Sequence, residues 1–230
     1  MVQPLADTSL EIIYPDSDGK PMADNTEQFR WIVTIKENLE ILFAAQDDVF
    51  VAGDLLWYPV QGNSKIRQAP DVMVVFGRPK GKRGSYKQWE ENNIPPQVVF
   101  EILSPGNRTG EMANKLLFYQ RYGVEEYYIY APDTVELTGF LRSGEWLTEI
   151  ESINGWMSPR LGIQFQLLED TLEIYRPDRG KFLTPVELDR LRQQERQEKE
   201  AALLQLEQER QRYQDLLAKL REKGIDPEQL

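Results

Sequence analysis

Two acids stand where acids are costly. Asp71 follows Pro70 and opens the run Asp-Val-Met-Val-Val-Phe, residues 71–76. Glu101 sits within Gln-Val-Val-Phe-Glu-Ile-Leu, residues 97–103. The second run is nearly continuous in apolar character, as a strand covered on both faces requires. A carboxylate there costs free energy unless something neutralises or hydrogen-bonds it. Two carboxylates brought together repel unless a cation or proton lies between them. The chain contains no histidine and no cysteine. Imidazole acid–base chemistry, histidine triads, thiolate metal sites and disulfides are therefore excluded. A metal here must be oxygen-ligated, which points to magnesium, manganese or calcium. Mg2+ or Mn2+ suits Asp71 and Glu101 best, because such ions need few protein carboxylates and keep positions for water and phosphate oxygens. The backbone carbonyl of Ile102 can add one more oxygen ligand.

Lys115 supplies the complementary charge. It lies on a predicted helix directly after the Glu101 strand, one turn beyond Glu111. Its long stem can reach back over the strand ends, where an ammonium positions water or stabilises charge on a phosphorane-like transition state. Plainer readings stand beside these. Asp71 can cap a turn after Pro70, and Lys115 can be the i+4 surface partner of Glu111.

The elements that must position these residues follow from pattern. Leu10–Tyr14 reads as a short strand and Pro15–Gly19 as a turn. Asp24, Asn25 and Thr26 offer caps for a helix to about Ala45. Its apolar stripe is Phe29, Ile32, Val33, Ile35, Leu39, Leu42 and Phe43. Strand pieces at 48–52 and 54–58 flank Gly53, a candidate bulge. Strands at 71–76 and 97–103 bracket a loop over 77–96. Ser104-Pro105-Gly106-Asn107 breaks the second strand. Thr109 can cap a helix to about Tyr122, Gly123 stops it, and Val124–Tyr130 is the next strand. Strand, helix, strand is a crossover unit, so strands 97–103 and 124–130 are expected to be parallel neighbours. Residues 134–176 read as a β-meander with turns at Ser143-Gly144, Asn154-Gly155 and Glu169-Asp170.

Charge is unevenly spread. The net charge is −11, yet residues 65–100 hold 7 basic and 3 acidic side chains. Arg78, Lys80, Lys82, Arg83 and Lys87 lie in the loop between the two acids and can grip phosphates, or can simply be a solvated surface. Tyr86 and Trp89 can stack on bases or pack internally. No Walker-type phosphate loop is present, because Gly77–Gly84 lacks the Gly-Lys-Ser/Thr ending.

Pro70-Asp71, Glu101-Ile102-Leu103 and Lys115 together resemble the PD-(D/E)XK nuclease superfamily. More narrowly, Glu-Ile-Leu-Ser-Pro, the Lys115–Tyr119 pair and Gly123-Val124-Glu125-Glu126-Tyr127-Tyr128 are similar to a large bacterial restriction-endonuclease-like family in which the lysine has moved from the strand to the following helix. Leu103 occupies the usual lysine position. The tail Leu220–Pro227 also resembles tails appended to many members. The resemblance implies an αβββαβ-type core, Asp71 and Glu101 as metal ligands, Lys115 as the catalytic lysine, and DNA as substrate. It brings in Glu111 as a supporting acid behind the lysine, and an acid of the first helix, for which Glu27 and Glu37 are both candidates.

The expected architecture is α/β: a mixed sheet with flanking helices over residues 1–183 and a long C-terminal helical extension over 184–230. Thr184-Pro185-Val186-Glu187 resembles a capping box. Leu203, Leu206, Arg210, Tyr213, Leu217 and Leu220 repeat at alternating spacings of three and four, as a short coiled-coil seam does. The same seam could instead dock on the chain's own domain. The expected function is a metal-dependent endonuclease hydrolysing DNA. The alternative is a catalytically weak or inactive nuclease-fold module that binds a partner, or a second copy, through the C-terminal helix. No apolar run spans a bilayer and no signal peptide is visible, so the expected location is the cytoplasm.

Overall fold

A computed structural model describes residues 12–17, 19, 21–106 and 109–223. The chain divides into two compact units, Met1–Phe182 and Leu183–Leu230.

The first unit is built on a six-stranded mixed sheet. β1 (Val49–Gly53) pairs antiparallel with β3 (Val72–Phe76), which pairs antiparallel with β5 (Val98–Ile102). β5 runs parallel to β6 (Glu126–Ala131), and α2 (Thr109–Arg121) makes the crossover, as the strand–helix–strand order predicts. β7 (Glu136–Ser143) and β8 (Trp146–Glu149) extend the sheet as an antiparallel meander. The expected meander is thus split. β9 (Gln164–Leu167) and β10 (Leu172–Tyr175) form a hairpin of their own.

Period-2 alternation divides the sheet into two cores. Val72, Val74, Val98, Phe100, Tyr128 and Tyr130 face α1 (Thr26–Leu42) and the β9–β10 hairpin. Met73, Val75, Val99 and Tyr127 face the opposite side, where Tyr119 of α2 packs. Asp71 and Glu101 fall in the second series, so both belong to the α2 face.

Asn25 caps α1 by accepting from the Gln28 amide. The buried face is Gln28, Trp31, Ile32, Thr34, Ile35, Asn38 and Leu39, whereas Phe29 is exposed. Ile32, Ile35, Leu39 and Phe43 of the expected stripe are buried and Leu42 packs against the core, while Phe29 at its start gives way to Gln28. Gln28 occupies the inward position because it has a buried hydrogen-bond partner on β5.

The loop over 77–96 contains ordered structure that its composition hides. β4 (Tyr86–Lys87) pairs parallel with β2 (Trp57–Tyr58), and a one-turn 3-10 helix spans Gln88–Glu90. Only Trp57–Tyr58 of the expected second strand piece is strand. Gly53 ends β1, and Asp54 turns the chain with φ 48°. Residues 12–15 are not in a strand. The remainder of the expected strand at 10–14, and Asp18 of the expected turn, lie outside the described residues. So do Asn107 and Gly224.

The second unit is α3 (Pro185–Glu222), opened by the capping box of Thr184 and Glu187. Leu203, Leu204, Leu206, Tyr213 and Leu216 are exposed along it. No helix among the described residues is long and apolar enough to cross a membrane.

Candidate functional site

The site forms where the β3–β5 ladder runs out. Val72 is the last β3 residue paired with β5, opposite Phe100. One residue further, the Asp71 side chain takes over as acceptor: its Oδ2 receives the Ile102 amide at 2.6 Å. Glu101 is 2% exposed and Asp71 9%. Burial, and then the neighbouring Glu101 charge, push the Asp71 carboxyl well above the usual carboxylate range.

Two residues of α2 close over Glu101. Lys115 Nζ donates to Glu101 Oε2 at 2.8 Å, and the Tyr119 hydroxyl donates to Oε1 at 2.5 Å. Spacing of four residues puts both on one helix face. The Lys115 side chain is 13% exposed. Burial disfavours its charge, but Glu101, Asp71 and Glu111 favour it, and the net result is an ammonium pKa above its ordinary value. Glu111 is exposed and acts on Lys115 through space.

The first helix contributes an amide. Gln28 Nε2 donates to the Ile102 carbonyl at 2.8 Å, while its Oε1 accepts from the Asp24 amide. Asp24 Oδ2 accepts from the Ser104 hydroxyl at 2.7 Å. These bonds tie the end of β5 to the start of α1 and fix the direction of the Ile102 carbonyl. Glu27 instead binds Arg30 and the Trp31 indole, and Glu37 binds Lys36. Gln28 was legible in principle, as a polar residue in phase with Ile32, Ile35 and Leu39 on the inward face.

The basic loop leaves β3 at Phe76, the end opposite Asp71, about 17 Å along an extended chain. Arg78 Nε and Arg83 Nε both bind Glu91, at 2.7 and 2.6 Å, and lower its pKa, Arg83 most. Lys80 Nζ donates to the carbonyls of Phe43 and Ala44 beyond the end of α1. Lys87 lies 3.5 Å from Glu90, and Lys82 is exposed. These bonds tie Arg78, Lys80 and Arg83 to the fold of the first unit. Tyr86 is fully buried, with its hydroxyl on the Ile94 carbonyl. Trp89 packs against Tyr14.

Among the described residues, no group of three or more acids could hold a metal. The donor set is two buried carboxylates beside a fixed backbone carbonyl. That set fits a magnesium-type ion completed by water, and not a calcium cage with six to eight oxygen ligands.

Residues 19–168 match the model of the Uma2 family, described as "Putative restriction endonuclease". The chain belongs to the Uma2 family. The description makes nuclease chemistry the activity expected of Uma2 proteins. The chain is also similar to a solved structure, a putative nuclease belonging to DUF820 from Anabaena variabilis ATCC 29413. The two share 15% identity over 61% of this chain and 74% of that one, with a TM-score of 0.45. No curated protein matches the chain.

Proposed function

We propose that this Uma2 protein is a metal-dependent endonuclease that hydrolyses DNA phosphodiester bonds. The observation that carries the reading is the bond of Lys115 on the crossover helix to the buried Glu101, with Asp71, just before β3, held on the Ile102 amide next in sequence and near enough for its charge to act on Lys115. Asp71, Glu101 and the Ile102 carbonyl would hold Mg2+ or Mn2+. When bound, the ion supplies Lewis-acid polarisation of a phosphodiester oxygen and a more acidic water. Lys115 spends one of its three N–H donors on Glu101, and the others remain for a water or a non-bridging phosphate oxygen. The Gln28 bond holds the Ile102 carbonyl in place, and the Ile102 amide orients Asp71. Glu111 raises the local negative potential that keeps Lys115 charged.

The test is plasmid cleavage with Mg2+ or Mn2+. Nicking should appear with the wild-type protein and disappear in Glu101→Ala. Cleavage that persists unchanged in that variant rules out the site.

A second element of the proposal concerns partners. The exposed residues Leu203, Leu206 and Tyr213 of α3 support pairing with a second copy through that helix.

A further inference from the structure

The Glu101 carboxylate cannot be held by its own rotamer preference. The terminal torsion of a glutamate is broad, so the plane of the two oxygens must be set from outside. Lys115 fixes Oε2, and Tyr119 fixes Oε1. The Tyr119 ring is fully buried. It lies parallel to Trp57 at 6.3 Å, with an interplanar angle of 4°, and meets the Tyr127 ring edge-on at 4.9 Å. Its hydroxyl is thus delivered to one place.

Resting on the metal-site reading above, we propose that Tyr119 is a positioning residue that fixes the rotation of the Glu101 carboxylate, so that its remaining lone pairs face a divalent cation. Each carboxylate oxygen has two acceptor positions. The Tyr119 and Lys115 bonds take one on each oxygen and leave the other pair directed. Groups that hold a ligand without touching the metal typically change affinity by about 10- to 100-fold when removed.

Tyr119→Phe removes the hydroxyl and keeps the ring. Tyr127→Phe is the matched control, because the buried Tyr127 hydroxyl has no hydrogen-bond partner among the described residues. Mn2+ binding to the full chain is measured by calorimetry. Thermal unfolding in EDTA and the tyrosine ultraviolet difference spectrum on Mn2+ addition are recorded in parallel. Tyr119→Phe should bind Mn2+ about 10-fold more weakly and lose the difference signal, while Tyr127→Phe keeps both. A merely structural role would lower the unfolding temperature in EDTA and leave the affinity unchanged. Wild-type affinity in Tyr119→Phe, or an equal loss in Tyr127→Phe, overturns the assignment. Absence of Mn2+ binding by the wild type overturns the metal reading itself, and the Tyr119 role with it.

Discussion

Glu101 depends on its neighbours for its place in the core. At 2% exposure its charge is offset by the Lys115 ammonium and the Tyr119 hydroxyl. A buried ion pair adds little over a well-packed apolar pair, but removing one partner strands the other charge. Lys115→Ala should therefore destabilise the metal-free protein by about 3 kcal/mol, read from urea denaturation in EDTA. Mg2+ should restore more of the lost stability in this variant than it adds to the wild type, because the cation takes over the neutralisation of Glu101 that the ammonium supplied, an effect larger than the loss of one orienting bond. An equal Mg2+ response in both proteins would show that Lys115 and the cation do not share a field.

At the scale of elements, the second buried acid of the sheet does different work. Glu126 on β6 accepts from the Tyr128 hydroxyl at 2.9 Å, from the Ser158 hydroxyl and from the Arg160 amide at 2.6 Å. It anchors residues 158–161 to the sheet. Glu126→Ala leaves these donors without an acceptor and should cost about 3 kcal/mol in urea denaturation. Burial raises the Glu126 pKa against the pull of those donors. A carboxyl raised on folding binds its proton more tightly when folded. Its contribution is full below the ordinary carboxylate range and is lost as pH rises through the raised value. The wild-type advantage over Glu126→Gln should accordingly shrink from acid to neutral pH. A constant or growing difference would contradict the assignment.

At the scale of the whole molecule, the two units make separable predictions. α3 exposes Leu203, Leu206 and Tyr213 in a seam about three heptads long, a marginal length for a strong coiled coil. If it pairs with a second copy, light scattering should show a dimer that falls to monomer mass on deletion of residues 185–230. The truncated chain should lose the helical far-ultraviolet signal of α3 and keep a cooperative unfolding transition, because Met1–Phe182 is a compact unit with its own sheet and cores. An unchanged mass after deletion would count against pairing through α3.

Composition and local spacing determined much of this protein. The absence of histidine and cysteine restricts the available metal chemistry to oxygen ligands. The apolar run around Glu101, the Gly123 stop and the capping box at Thr184 are local signals, and each matches the element formed there. The i,i+4 spacing of Lys115 and Tyr119 already placed both on one helix face. Tertiary structure alone decided what that face meets. The Tyr119 bond to Glu101 and the Gln28 bond to Ile102 join residues 18 and 74 apart in sequence. It also tied Arg78 and Arg83 to Glu91, which no count of loop charges could show. Periodicity reports which side of an element faces inward. The partner waiting there is set by how the elements stack, because hydrogen bonds between distant segments leave no repeat in the chain.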